Sequence, residues 1–248
     1  MVHGLGYGVK AALDRTAAAL AIVVLMPVIA LALAATWAVD RRNPVYVSLR
    51  AGRNGVPFRM LKIRTMIVTD GRSGQITTAA DDPRLTWLGR RLRGCKIDEL
   101  LQLVNIVRGE MSVVGPRPQV LPEVATYTDE ERGLLGVTPG LTDFSSIIFW
   151  DLAEIVRAKP DAHLVYQQLV RPWKSRLGLF YVRHSSVPLD VLIVLATLCN
   201  MVHRPAGLAL VVWTLRAWGA QEELIAVARR SEPLKPTPPP GAARVVGT

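Results

Sequence analysis

The sequence predicts a mainly helical α+β protein, monotopic in a membrane. Three observations carry that expectation. Residues 16–39 form an uncharged, largely apolar run of 24 residues, long enough to reach through a bilayer. Basic residues flank the run on both sides, Lys10 and Arg15 before it and Arg41 and Arg42 after it. Beyond it, one hairpin-like stretch precedes several apolar-periodic stretches that read as helices.

Composition narrows the class. The chain has 248 residues, enough for one domain with a substantial core. Half of them are hydrophobic, yet the net charge is +10 and the pI is near 10.2. That pairing suits a protein seated on an anionic membrane surface or handling phosphorylated substrates. Nucleic acid is the competing partner for such charge. The apolar run and the lack of a basic-aromatic motif argue against it. The two cysteines, Cys95 and Cys199, form no disulfide framework or zinc spacing, and read as free thiols in a reducing compartment. The four histidines are scattered.

The first element is the membrane segment, assigned to residues 1–43. Lys10 and Asp14 stand four apart and can pair on one helix face, a solvated salt bridge being the plainest reading. Pro27 sits near the centre of the apolar run and should kink it. Positive flanks tend to stay cytoplasmic. Both flanks can do so only if the helix enters and turns back, so a kinked re-entrant helix is expected, with a straight span as the alternative. A cleaved signal peptide fits poorly, because the run is too long and no polar cleavage region follows.

Residues 44–66 alternate and carry a central Gly-Arg-Asn-Gly, which predicts a β-hairpin with Lys62 and Arg64 on one face. Residues 67–80 are polar and patternless, a loop. Asp82-Pro83-Arg84 marks a turn before a basic helix carrying Arg90, Arg91 and Arg93. Those arginines suit lipid headgroups or a nucleotide diphosphate, and equally a solvated face.

Two adjacent carboxylates, Asp98 and Glu99, open the next helix. Ile97, Leu100, Leu101, Val104 and Val107 keep helical spacing, and Gly109 stands at the C′ position. A helix N-terminus suits phosphate, but two carboxylates there repel it. A divalent cation resolves the conflict by bridging carboxylate and phosphate oxygens. Neighbouring residues point in different directions, so one carboxylate can attack while the other holds the metal. The plainer reading is that acidic residues favour a first helical turn. Met111–Val114 is a short apolar run leading to Gly115-Pro116-Arg117-Pro118. Flanking prolines restrict Arg117 and suit a guanidinium that forks onto phosphate. A solvated turn arginine is the alternative.

Taken together, DDPRLT, LGRRLR and IDELLQLVNIVRGEMSVVGPRP resemble the signature of bacterial sugar transferases, small monotopic phosphoglycosyl transferases that start glycan assembly on polyprenyl phosphate. The hairpin resembles the family's second signature, ending here in KIRTM, and the resemblance covers roughly residues 10–202. It departs at Leu101, where the family has proline, and at Met26-Pro27, where it has Ser-Pro. Leucine at 101 is expected to extend the helix.

The resemblance implies transfer of a sugar-1-phosphate from a UDP-sugar to polyprenyl (undecaprenyl) phosphate, releasing UMP and starting exopolysaccharide, O-antigen or glycoprotein glycan synthesis. It implies Asp98 as nucleophile, through a covalent aspartyl-phosphosugar intermediate, and Glu99 as ligand of Mg²⁺. Lys62, Arg117 and Arg93 are the implied substrate-binding residues, with Arg64 structural. The catalytic domain, residues 44–204, would face the cytoplasm at the bacterial inner membrane, in contact with membrane lipids and without nucleic acid. A homo-oligomer is open, as is the identity of the sugar. A catalytically degenerate membrane scaffold for glycan-assembly proteins is the alternative.

Residues 123–132 are charged and read as helical. Pro139-Gly140 marks a turn within GVTPGLTDFSSIIFWD, a form similar to the family's PGITD variant. Asp143 there either contacts the sugar or caps the turn. Residues 163–181 mix aromatic, aliphatic and basic residues, as in an interfacial amphipathic helix or a core-facing one. Residues 189–202 are apolar but short for a span. Residues 205–230 are assigned to an amphipathic C-terminal helix, and the proline-rich residues 231–248 to a disordered tail.

Overall fold

A computed structural model describes residues 4–67, 81–157, 159 and 161–247. The polar stretch 68–80 lies outside them.

Helix α1 spans Gly4–Asp40 and carries Pro27 within one helical run. At 1.5 Å per residue it is roughly 55 Å long, well beyond a hydrocarbon core. Small residues let it lie close to the rest of the molecule. Ala18 packs among Phe58, Met60, Leu103, Ile106 and Met111, and Ala32 against Ile63 and Leu92. The other face exposes Leu20, Val23, Val24, Met26 and Leu31.

Both ends of α1 are tied by polar contacts. Lys10, expected in a solvated pair with Asp14, is largely buried. It reaches Asp14 at 3.3 Å and Asp190, far along the chain, at 2.5 Å. Tyr181 donates to Asp190 at 2.7 Å and Ser112 to Asp14. At the other end, Asp40 accepts two N–H bonds of 2.6 Å from the buried Arg64.

The predicted hairpin is present. Strands β1 (Val45–Ala51) and β2 (Pro57–Ile63) pair antiparallel, with Tyr46 opposite Lys62. Helix α2 (Trp87–Gly94) is N-capped by Thr86, whose Oγ1 accepts from Gly89 N at 2.9 Å. The carboxylate-bearing element is not one regular helix. A 3₁₀ turn at Ile97–Glu99 passes through a turn at Leu100 and Leu101 into α3 (Gln102–Val107). Leu101 therefore does not extend the helix; it packs beside Ile63 and Leu92 instead. Gly109 has φ 78°, as its C′ position requires.

Strand β3 (Ser112–Val114) pairs parallel with β4 (Gly140–Thr142), across α4 (Leu121–Val124) and a 3₁₀ segment at Glu131–Gly136. The helix expected over 123–132 is thus two short pieces. Beyond β4 come α5 (Phe144–Ile148), α6 (Leu152–Ile155) and α7 (Ala162–Val165). A π-helical segment at Tyr166–Val170 leads into α8 (Arg171–His184). The chain then folds α9 (Val187–Val202), α10 (Arg204–Ala217) and α11 (Glu222–Arg229) onto it.

In the C-terminal third one open alternative is decided, for α8, and one expectation is corrected, the single helix over 205–230. Helix α8 is a core helix, not an interfacial one: Leu177, Phe180 and Tyr181 are buried with Phe144, Ile147, Leu189 and Ile193. The apolar surface lies instead on α9, at Val191, Leu195, Leu198 and Met201. Residues 205–230 hold two helices, and Val211, Leu215, Leu224 and Ile225 complete the main core. The proline-rich tail is bonded to the π-helical segment, to α8 and to the stretch after α4. Thr237 N donates to Gln168 O at 3.0 Å, Arg176 to Pro238 O at 3.0 Å and Thr128 to Pro240 O at 2.6 Å. Arg176 on α8 and the carbonyl of Gln168 in the π-helical segment are contacts a periodicity reading cannot supply.

Candidate active site

The site is assembled where α3, β2 and the Pro116–Pro118 turn meet. Lys96 adopts the left-handed conformation (φ 57°, ψ 16°), which turns the chain from α2 into the 3₁₀ turn. Asp98 and Glu99 follow and diverge. Asp98 is 5% exposed, and its Oδ1 has no hydrogen-bond partner among the described residues.

Glu99 is the opposite case. Lys62 donates to Oε1 at 3.0 Å, while Arg117 forks across the carboxylate at 2.7 Å to Oε1 and 2.9 Å to Oε2. The sequence assigned Lys62 and Arg117 to substrate phosphate; in the structure both hold Glu99. Asn105 explains how Lys62 arrives there. Its side chain accepts from Leu61 N at 3.0 Å and donates to Arg59 O at 2.8 Å, binding β2 to α3. Gly115 and Gly140 explain Arg117. Their backbones approach so closely that a Cβ on Gly140 would lie 2.0 Å from Gly115 N. This contact sets the turn, and Arg117 adds a 2.8 Å bond to Leu141 O.

Arg93 points inward, with Nε on Thr65 Oγ1 at 2.9 Å, whereas Arg90 and Arg91 are exposed. Four cations, Lys62, Arg93, Lys96 and Arg117, thus act on two carboxylates. Burial, together with the charge of Glu99, pushes the Asp98 carboxyl up from its usual range. Burial opposes ionisation of Glu99 too, but Arg117, Lys62 and Lys96 outweigh it and hold Glu99 well below its usual value. The pair therefore splits into an anion held by three N–H bonds and a more basic carboxylate with a bare oxygen, a division suited to nucleophilic chemistry.

Among the described residues, no group of three or more His, Cys, Asp or Glu could hold a metal on its own. The donor set does fit a magnesium ion that takes one protein oxygen and completes its shell with phosphate and water. Three N–H bonds leave one lone-pair position on Glu99 Oε2.

Asp143 is a cap. Its Oδ1 accepts from Ser146 N at 2.7 Å, and Asp143 N donates in return to Ser146 Oγ at 3.0 Å. No role for Lys96 or Trp150 is legible in the sequence. Lys96 Nζ lies 4.8 Å from the centroid of the Trp150 ring. A positive φ at a lysine leaves no mark in a sequence pattern, and a contact 54 positions apart leaves no periodicity.

The family model described as bacterial sugar transferase matches residues 6–204. The exopolysaccharide production protein ExoY of Sinorhizobium fredii is 36% identical over 172 residues, covering 63% of this chain and 76% of ExoY. A UDP-glucose:undecaprenyl-phosphate glucose-1-phosphate transferase of Caulobacter vibrioides is 33% identical over 178 residues, 67% of this chain and 65% of that protein. The galactosyl transferase CpsE of Streptococcus agalactiae is 30% identical over 174 residues, 64% of this chain and 34% of CpsE. The match thus spans from about a third to about three quarters of these relatives' lengths.

Proposed function

The chain belongs to the bacterial sugar transferase family and is a phosphoglycosyl transferase; we propose that it moves a sugar-1-phosphate from a UDP-sugar to undecaprenyl phosphate through Asp98. The observation that carries this reading is the buried Asp98 Oδ1, which has no hydrogen-bond partner among the described residues and feels the charges of Lys62, Arg93 and Lys96.

In the first step Asp98 Oδ1 attacks the β-phosphorus of the donor. The bond from that phosphorus to the bridging oxygen breaks, UMP departs with the electron pair, and an acyl phosphate carries the sugar. In the second step an oxygen of the lipid phosphate attacks the same phosphorus and the Asp98 carboxylate is released. Arg117 and Lys62 orient Glu99 and still have donors to spare. Arg117 commits three of its five N–H groups and Lys62 one of its three. The remainder, with Arg93, can hold phosphate oxygens. Glu99 would hold magnesium, whose charge offsets the repulsion between carboxylate and phosphate.

The contacts of α1 support a monotopic seat. Lys10 and Asp40, near its two ends, both bind the same domain. On this reading both ends stay on one side of the bilayer, and the exposed apolar middle of α1 meets lipid. Basic flanks favour the cytoplasmic face, where the lipid phosphate lies at headgroup depth. A straight span would separate the ends by the full hydrocarbon thickness. Relatives carry both glucose and galactosyl names, so the donor sugar must be found by assay.

The test is UMP release from a panel of UDP-sugars by lipid-reconstituted protein with Mg²⁺ and undecaprenyl phosphate, beside Asp98→Asn. Without lipid acceptor, a burst of about one UMP per enzyme is expected, with sugar phosphate retained on the protein. Parental turnover by Asp98→Asn would overturn the nucleophile; turnover without a burst or labelled protein would overturn the covalent route.

A further inference from the structure

The cations around Asp98 and Glu99 are not equivalent. Lys62 and Arg117 are bound to Glu99, and Arg93 is anchored on Thr65. Lys96 has no hydrogen bond and no carboxylate within ion-pair distance from its ammonium among the described residues; its neighbour is the half-buried Trp150 ring. An aromatic face holds a cation without neutralising it. A carboxylate in that place would cancel the charge, whereas the indole leaves it for an anion that arrives later.

The backbone carries a second sign. Lys96 is one of four non-glycine residues with positive φ among the described residues, and Arg230 is another. Such conformations persist where the surroundings impose them, and they gather at functional sites. These two bracket the same contact. Arg230 lies over the Phe149 ring, 5.7 Å from its centroid, and donates to Asp151 Oδ2 at 2.9 Å. Arg204 reaches Asp151 Oδ1 at 2.9 Å. Trp150 is therefore pinned on both sides by its chain neighbours. One of the pins, Arg230, lies beyond the residues that match the family model.

We propose that Lys96 contacts a phosphoryl oxygen of the nucleotide-sugar donor, and that Trp150 is the positioning residue that holds its ammonium beside the carboxylate pair. This rests on the donor reading above. The site carries two more positive than negative formal charges among these six groups, and a diphosphate supplies the missing anion. Lys96 adds the donor that Arg117 and Lys62, already bound to Glu99, supply only in part.

Lys96→Asn is the discriminating variant, because asparagine tolerates the left-handed backbone and removes the ammonium. Its melting temperature is expected at or above the parent's. Its dissociation constant for UDP, measured by calorimetry in lipid nanodiscs with Mg²⁺, should rise about tenfold, the worth of one charge-assisted hydrogen bond. Lys96→Arg should recover part of the loss. Trp150→Leu should raise KM for the donor severalfold with kcat nearly unchanged, and should add nothing in the Lys96→Asn background. Parental UDP affinity in folded Lys96→Asn overturns the contact. A Trp150→Leu effect that persists undiminished without Lys96 overturns the positioning role. A parent that binds UDP but releases no UMP sinks the proposed reaction, and the binding comparison still decides Lys96.

Discussion

Two buried charge clusters in this molecule invite comparison. At the back of the domain, Glu131 is fully buried and accepts from Arg171 at 3.1 and 2.6 Å, from Ser175 at 2.7 Å and from Thr128 N at 3.1 Å. Arg171 spends its other donors on Gln167 and on the side chain and carbonyl of Thr126. Charges cancel and each oxygen is occupied. At the front, Asp98 keeps a bare oxygen, and Arg93 and Lys96 have no carboxylate in ion-pair contact among the described residues. Burial of ions is tolerable when pairing and hydrogen bonds are complete. The back cluster meets that condition by itself. The front cluster does not, and in the proposed reaction the phosphate of the donor would complete it.

The contrast can be broken by mutation. The largest effect is expected from Asp98→Asn, which should lower UMP release by about 10³-fold or more. Its melting temperature should hold or rise, since a buried carboxylate held up by desolvation is replaced by a neutral amide. A large drop in stability would show that Asp98 is structural like Glu131. Glu131→Ala should do the reverse and cost about 3–5 kcal/mol in urea unfolding, because it strands the Arg171 charge. Turnover per folded molecule should survive; selective loss of kcat would blur the distinction. Arg117→Lys keeps the charge but loses the fork on Glu99. Turnover should fall about 10–100-fold with a smaller change in stability, and a donor KM near the parent's would assign Arg117 to Glu99 rather than to phosphate. Asp143→Ala is expected to be the mildest, about 1 kcal/mol of stability for a lost N-cap. A change in sugar preference instead would revive Asp143 as a sugar contact.

Local chemistry explains which features were legible. The apolar run at 16–39, the hairpin around Gly52–Gly55 and the C′ glycine at 109 each depend on neighbouring residues, and each is present. Asp143 resolved to a cap because its bonds reach only three residues ahead. Helix α8 was ambiguous because a core helix that carries Arg171 and Lys174 has the composition of an interfacial one. Its burial depends on α5, α9 and α11 covering it. The break at Leu100 and Leu101 was missed because the apolar spacing of Ile97, Leu101 and Val104 is satisfied equally by a 3₁₀ turn followed by a short helix.

The sequence by itself determined the class of protein, a basic sugar transferase with a long apolar N-terminal helix, and the place of its two adjacent carboxylates in the chain. Those conclusions rest on residue types at short spacing, which local propensity and motif order preserve. Only the tertiary structure decided how the pair is divided. Lys62 and Arg117 come 37 residues before and 18 residues after Glu99, and they converge on it because Asn105 docks β2 and the Gly115–Gly140 contact sets the turn. The same convergence leaves Asp98 bare and Lys96 resting on Trp150. Charge balance within a site is a sum over long-range neighbours, and no stretch of the chain contains it.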